Sequence, residues 1–400
     1  MTTSRQIQDA YIVSAVRTPV GKAPRGVFRN TRPDDLLAFA IEAALARCPS
    51  IDKSRIDDAV IGCAMPEAEQ GMNVARIAVL LAGLPNVVSA VTVNRFCSSG
   101  LQAVAMAADR IRLGEADLMI GGGTESMSMV PMMGYHPVFN PRIYQDENLG
   151  IAYGMGITAE KVAEQWKVTR DEQDAFAVAS HAKALAGIAS GEFADEIAPY
   201  TLADRYPDLG KRSVVDDARL VKNDEGPRAG TTAEALAKLK PVFRMGGSVT
   251  AGNSSQMSDG AGAVLLASEQ AIKDYNLTPI ARFVGFAVAG VPPEIMGIGP
   301  KAAIPKVCKQ AGIKQDDLDW IELNEAFAAQ ALAVIKDIGL NPDKVNPLGG
   351  AIALGHPLGA TGAVRIATLL SGLRRRKLKY GMVSMCIGTG MGAAGIFERL

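Results

Sequence analysis

The sequence predicts an α/β protein built from two similar mixed-sheet halves with a long segment inserted between them, and three observations carry that prediction. First, 400 residues with 48% hydrophobic, only 5% aromatic and 41 glycines have the composition of a close-packed α/β enzyme larger than one usual compact domain. Second, the chain repeats itself: residues 51–62 match 313–324, and the Gly-rich turn, helix and strand of 97–121 recur at 355–388, both at an offset of about 260 residues. Third, strand-like runs at 11–16, 59–62 and 118–120 alternate with helical stretches at 33–47 and 101–113.

The segment between the halves, 124–244, has another texture. It carries Met127, Met129, Met132 and Met133, several Pro/Gly turns, and a helix after Thr169, whose Thr169 and Glu172 form a capping box before Phe176 and Val178. The methionines read as gap-filling core. The expected division is therefore 1–123, completed by about 245–272, as the first half, 124–244 as a loop domain lying over a site, and 273–400 as the second half.

Charge excludes some functions. Lys plus Arg and Asp plus Glu both number 42, so no global field would hold nucleic acid or an anionic membrane. The most basic run, Arg374 to Lys377 with Lys379, falls where a helix beginning near Gly362 should end, and reads as a solvated, dipole-complementing helix terminus. Five scattered cysteines, without a CxxC pair or a disulfide framework, fit reducing cytoplasm. The N-terminus shows no signal segment, and no apolar stretch is long enough for membrane insertion.

Cys97 lies between a strand-like run, 90–93, and a helix with Leu101, Val104, Ala105, Ala108 and Ile111 at helical spacing. Alone, such a cysteine reads as a small buried hydrophobe. At a helix N-terminus, however, backbone N–H groups favour thiolate. His356, held between Gly355 and Pro357 before a second helix, faces Cys97 if the halves are related by pseudo-symmetry, giving a nucleophile and a base. Cys386 precedes Gly388, Gly390 and Gly392. A dinucleotide fingerprint fails there because the chain stops at Leu400, so the turn reads instead as one that exposes Cys386 and a backbone N–H for proton transfer or an oxyanion. Asn324 puts an uncharged amide at a strand end, and 250–255 is a Gly/Ser-rich turn that suits a polar ligand or is simply a tight turn.

Taken in order, Asn94-Arg95-Phe96-Cys97-Ser98-Ser99-Gly100, Asn324-Glu325-Ala326-Phe327, Gly355-His356-Pro357 and Cys386-Ile387-Gly388 resemble the thiolase family over nearly the whole chain. The resemblance implies a duplicated five-layered α/β/α/β/α fold and a homotetramer built as a dimer of dimers. It implies acyl transfer between coenzyme A thioesters: Cys97 carries the acyl group, His356 is its base, Cys386 moves protons, and Asn324 and Gly388 serve the oxyanions. Ser255 and Arg228 would contact coenzyme A, while Met155, Met296 and Phe327 would line the acyl or pantetheine cavity. Coenzyme A is then a substrate, with no bound cofactor and no metal.

Two departures bear on subtype. Gly154 stands where acetoacetyl-CoA thiolases usually carry a histidine, which leaves room for a longer chain and, with the Asn94-Arg95-Phe96 and Ser254-Ser255-Gln256 variants, favours a degradative 3-ketoacyl-CoA thiolase of β-oxidation over an acetyl-CoA acetyltransferase. Thr389 stands where a third glycine is common and is expected to narrow the turn. A ketoacyl-carrier-protein synthase would need a histidine at Asn324, and a lipid-carrier or scaffold relative would have lost a catalytic group. A hydratase/dehydrogenase partner is a further possibility that the resemblance raises.

Overall fold

The computed structural model describes residues 7–400, so residues 1–6 of the expected first unit lie outside the described residues. The first half runs through β1 (Ala10–Arg17), the short β2 (Gly21–Lys22), α1 (Pro33–Ala46) and β3 (Asp58–Gly62). It continues with α2 (Val74–Leu81), β4 (Ser89–Val93), α3 (Ser99–Arg112) and β5 (Leu118–Ser126). The insertion holds α4 (Met155–Gln165), α5 (Arg170–Ala189), a hairpin of β6 (Tyr200–Asp208) and β7 (Ser213–Val221), and α6 (Ala233–Ala237). Then β8 (Ser258–Ala267) and α7 (Glu269–Asp274) return to the first half. The second half comprises β9 (Ala281–Gly290), α8 (Gly299–Ala311), β10 (Trp320–Leu323), α9 (Ala328–Ile338), α10 (Ala351–Leu354), α11 (Leu358–Arg376), β11 (Tyr380–Ile387) and β12 (Met391–Arg399).

The two halves repeat one strand pattern. In the first, the order is β4-β3-β5-β8-β1, and in the second it is β10-β11-β12-β9. β3 pairs in parallel with β5 as β10 does with β11, β4 adds in parallel to β3, and the pairs within β5·β8·β1 and β11·β12·β9 are antiparallel. The halves join where β1 and β9 pair antiparallel through Ala10–Phe283, Tyr11–Arg282 and Ile12–Ala281. β4, the outer strand of the first half, has no full counterpart. A single parallel bridge, Ile321–Val345, stands in its place. There Asn346 behaves like a piece of strand: its N–H donates to Ile321 O at 2.9 Å, its Oδ1 accepts from Leu323 N–H at 2.9 Å and its Nδ2 donates to Leu323 O at 2.8 Å.

Helices fill three layers around the two sheet halves. α1 and α2 cover the outer face of the first half, α8 and α9 that of the second, and α3 and α11 lie back to back between them. α11 is therefore buried on all sides from Leu358 to Leu373. Glycine makes that sandwich close. A Cβ at Gly100 would stand 2.8 Å from Gly359 O and 2.9 Å from Ala363 N, one at Gly362 would stand 2.0 Å from Leu101 N, and one at Gly123 would stand 2.2 Å from Gly359 O. The same glycines explain why β5 extends to Ser126 rather than ending near Ile120: Gly121 to Gly123 form not a turn but strand pressed beneath α3 and α11.

Two other expectations change. α11 starts at Leu358, and its basic end is not simply solvated: Arg374 Nη2 reaches Asp195 Oδ2 at 2.8 Å, while Arg375 and Arg376 reach Glu192 at 3.5 and 3.3 Å. These pairs, with the buried Arg17 bound to Glu196 at 2.7 Å and to Asp224 at 2.7 Å, tie the insertion to the halves. Of the methionines read as core, Met127 is buried, but Met132 and Met133 are exposed. No helix among the described residues is long and apolar enough to cross a membrane.

If backbone contact of α3 with α11 sets the sandwich, Gly100→Ala should cost about 1–3 kcal/mol through overpacking. Gly154→Ala, where an added Cβ meets nothing within 4 Å, should leave stability nearly unchanged. Urea denaturation of both variants checks this, and equal midpoints would contradict it.

Candidate active site

Cys97 sits in the single turn Phe96–Ser98 that leads into α3, and the residues around it exist to hold that turn. Phe96 takes a left-handed φ of 44°, a costly conformation for an aromatic residue. Its N–H donates to Asn94 Oδ1 at 2.8 Å, its carbonyl accepts from Ser99 Oγ at 2.7 Å, and Ser99 Oγ accepts in turn from Arg95 N–H at 2.8 Å. The turn packs on both α11 and β11, and Cys97 packs against the cluster of Ala64, Met127 and Leu358.

His356 lies immediately before α11 and is buried. Gly355 has φ 92°, and a side chain there would strike Ser258 Oγ at 2.5 Å. The His356 N–H donates to that same Oγ at 3.0 Å, which fixes the residue's place in the turn. Nδ1 lies 2.7 Å from Thr361 Oγ1, and Nε2 lies 3.3 Å from Asn324 Nδ2. With the amide nitrogen toward it, Nε2 is the acceptor, and Nδ1 carries the hydrogen that Thr361 accepts. Asn324 Oδ1 is buried and has no partner among the described residues.

Cys386, fully buried, is the penultimate residue of β11 and packs among Ala159, Val249, Met296, Ala326, Phe327 and Met155. Gly388 follows in the turn to β12. A Cβ on it would lie 3.7 Å from Met155 Sδ and from Phe96 Cδ2, so this glycine is not forced by crowding within the chain. Thr389 adopts φ 65°, and its Oγ1 donates to Gly388 O at 2.5 Å; the turn keeps a glycine-like shape with a threonine in it.

The electrostatics differ from the sequence expectation. Burial pushes the Cys97 thiol up to about 12, outweighing the N–H groups of Gly388 and of Cys97 itself that favour thiolate, and Glu125 adds to the rise. The local helix end was visible in the sequence, whereas the layers above and below it were not. Burial likewise raises Cys386, with Cys97 a further cause. Burial, then Arg365, lowers His356 to about 3. The resting site thus holds a neutral thiol and a neutral imidazole whose unprotonated Nε2, facing the Asn324 amide, can take a proton in its place. This pair, two backbone donors on one sulfur and a second buried thiol can perform nucleophilic acyl transfer with separate proton handling.

Cys97, His356, Cys386, Asn324, Gly388, Met155, Met296 and Phe327 therefore form one neighbourhood. Ser255 adjoins it: its N–H donates to Ala326 O at 2.9 Å, and its neighbour Ser254 bridges Phe327. No contact joins Arg228 to the cysteines. It lies in the segment that Gln256 Nε2 holds by Gly226 O at 3.1 Å, and its guanidinium has no acidic partner among the described residues. Its N–H donates to Nδ1 of His181 at 3.2 Å, so the buried His181 is an acceptor. Sequence reasoning missed Thr361, whose only signal was a hydroxyl in the first turn of the helix after His356. Among the described residues no group of three or more His, Cys, Asp and Glu could hold a metal ion.

Residues 10–270 match the family model described as thiolase, N-terminal domain, and residues 277–399 match thiolase, C-terminal domain. The chain is 50% identical over 394 residues to a 3-ketoacyl-CoA thiolase of Bacillus subtilis (strain 168), covering 98% of this chain and 100% of that one. It is 47% identical over 411 residues to a beta-ketoadipyl-CoA thiolase of Acinetobacter baylyi, covering 98% and 100%. A solved acetyl-CoA acetyltransferase of Bacillus anthracis superposes with a TM-score of 0.88 at 39% identity, covering 99% and 100%.

The histidines make a stability prediction. Burial, then Arg228 and Lys22, lowers His181 to about 4, so both it and His356 are neutral when folded. In the unfolded chain each titrates near about 6.5, so below that pH the unfolded state binds more protons and stability falls as pH falls toward 4. The thermal midpoint should drop between pH 7 and pH 5, and His181→Asn should shrink the drop. A midpoint that stays flat in both proteins would contradict the assignment.

Proposed function

This chain belongs to the thiolase family of acyltransferases, and from that premise we propose that it cleaves 3-ketoacyl-CoA with coenzyme A to acetyl-CoA and a shortened acyl-CoA. The observation that carries the reading is the grouping of Cys97, with the N–H groups of Gly388 and Cys97 at its sulfur, beside Cys386 and the buried His356 that Thr361 and Asn324 hold at 2.7 and 3.3 Å. Attack of Sγ on the 3-keto carbon passes the thiol proton to His356 Nε2. The C2–C3 bond then breaks, leaving the acyl thioester on Cys97 and the enolate of acetyl-CoA, which takes the proton of Cys386. In the second half-reaction the Cys386 thiolate deprotonates coenzyme A, and the new thiolate removes the acyl group. Cys97 leaves as thiolate and recovers its proton from His356.

Each oxyanion has its donors in this scheme. The tetrahedral oxyanion at Cys97 meets the N–H groups of Cys97 and Gly388, while the enolate oxygen meets His356 and a water held by Asn324. Loss of one such donor costs on the order of 3 kcal/mol of barrier. Arg228 and Ser255 are assigned to coenzyme A. The unpaired guanidinium of Arg228 suits a phosphate, and its N–H bond to His181 holds its segment still. Met155, Met296 and Phe327, packed around Cys386, form the apolar wall.

Gly154 is exposed, and an added Cβ meets nothing there, which supports a chain longer than acetoacetyl. The second reading, an acetyl-CoA acetyltransferase, is favoured by the likeness to the Bacillus anthracis structure. Five unpaired cysteines fit a cytoplasmic protein of fatty-acid degradation. The halves are assigned as 1–123 with 245–272 and as 273–400, under a loop domain of 124–244. We also assign a dimer-of-dimers tetramer. β4 is an unpaired edge whose Val91 is 40% exposed beside Val87 at 70%, and a charged residue at Val91 should lower the mass seen by analytical ultracentrifugation; an unchanged mass would remove this edge from the interface.

Acetyl-CoA should label Cys97 with an acetyl group detectable by peptide mass spectrometry, because the reaction is ping-pong. Full thiolysis by Cys97→Ala would sink the mechanism. Cys386→Ser should retain some acylation while slowing turnover, and complete loss of acylation would point to a structural role. Thiolysis across 3-ketoacyl-CoA chain lengths, with 3-ketoadipyl-CoA included, separates the two readings: turnover of acetoacetyl-CoA alone would overturn the Gly154 argument.

A further inference from the structure

Between the turn that carries Cys97 and the helix that follows His356 lies a carboxylate that the acyl-transfer scheme does not use. Glu125, near the end of β5, is 0% exposed. Its Oε2 accepts two backbone N–H groups from different halves of the molecule, Ala64 at 2.7 Å and Gly359 at 2.8 Å. Its Oε1 accepts Met65 N–H at 3.2 Å and Gln70 Nε2 at 2.6 Å. These four partners and the Cys63 thiol, 3.9 Å from Oε1, are all donors, so the group is used as a carboxylate even though burial raises its affinity for a proton.

Both ties lead to the reacting atoms. Ala64 belongs to the apolar cluster against which Cys97 packs, and its carbonyl accepts Asn94 Nδ2 at 2.9 Å; Asn94 Oδ1 in turn holds the N–H of Phe96, the residue before Cys97. Gly359 is three residues after His356 in the first turn of α11, where a negative charge complements the helix dipole. The fit is tight: a Cβ on Gly359 would stand 2.7 Å from Glu125 Oε2 and 2.7 Å from Cys63 Cα.

We propose that Glu125 is a positioning residue of the acyl-transfer site: one buried carboxylate oxygen ties the chain beside Cys97 to the helix that carries His356 and holds nucleophile and base in a common frame. A glutamine cannot replace it, because its single amide oxygen serves only one pair of donors and its NH2 opposes the other. An aspartate keeps the charge but is too short to reach both halves. The charge itself acts on Cys97, opposing thiolate formation. The titratable groups that face it are Cys63, 3.9 Å from Oε1, and Cys97, on which its charge acts.

The test reads the two effects separately, and only its activity arm rests on the acyl-transfer reading. Iodoacetamide alkylation of Cys97, located by peptide mass spectrometry across pH, should shift to lower pH by about half a unit or more in Glu125→Gln and by less in Glu125→Asp. In both variants kcat for acetoacetyl-CoA thiolysis should fall about tenfold or more, with KM within about twofold. An alkylation profile and kcat both equal to wild type in Glu125→Gln would overturn the proposal. Should Glu125→Gln fail to fold, Gln70→Leu removes one donor from the edge of the cluster and should lower kcat about threefold at constant KM; an unchanged kcat there would overturn it as well. If the unaltered protein performs no thiolysis, the reaction assignment fails, while the alkylation profile still decides on Glu125.

Discussion

Where α3 and α11 cross, peptide backbones meet with no side chains between them, and the placement of every reacting group depends on that contact. Gly100 faces Gly359, Gly362 faces Leu101, and Gly123 supports the same turn from beneath. Side chains at these positions would hold the helices a few ångströms further apart. Cys97 and His356 sit just before the N-terminal ends of these two helices, so a close crossing bears on where nucleophile and base stand. Because α11 is enclosed on all sides by both sheet halves, neither helix can shift without opening the core that runs through Leu101, Val104, Ile366 and Leu369.

Around that crossing, turns rather than regular elements carry the chemistry, and turns leave backbone N–H groups without ladder partners. Buried carboxylates satisfy them. Glu125 serves Ala64, Met65 and Gly359; Asp259 serves Ser128; Glu160 serves Ser248 and Val249; and Glu325 serves Ile352 while accepting from Ser180 and Asn346. Each charge is costly to bury alone and tolerable only because several donors converge on it. The result is a rigid frame that leaves the inner surface of the site apolar, with Cys386 among Met155, Met296 and Phe327.

Local signals were legible in the sequence, and long-range ones were not. The capping box at Thr169 and Glu172 is present as read, because both partners lie within one turn. The duplication foresaw matching strand patterns, since β3 and β10 each follow a similar helix exit. The state of Cys97 was misjudged because the helix end that stabilises thiolate is encoded beside it, whereas the enclosure that disfavours thiolate comes from residues some 250 positions away. Arg374 to Arg376 looked solvated for the same reason: their partners, Glu192 and Asp195, lie in the insertion. Met132 and Met133 carry no periodicity that would mark them as exposed.

The missing counterpart of β4 has a consequence for growth in numbers. A duplicated sheet with two open ends could add copies indefinitely in both directions, like tiles in a row. Here the β10 end is closed by Asn346, whose side-chain amide occupies the hydrogen-bonding groups that another chain would need. At the β4 end two outward carbonyls are likewise engaged by side chains, Ala90 O by Asn73 Nδ2 at 2.9 Å and Val88 O by Arg76. One asparagine thus sets a toll at that end: a further strand could add beside β10 only by first taking Leu323 from Asn346.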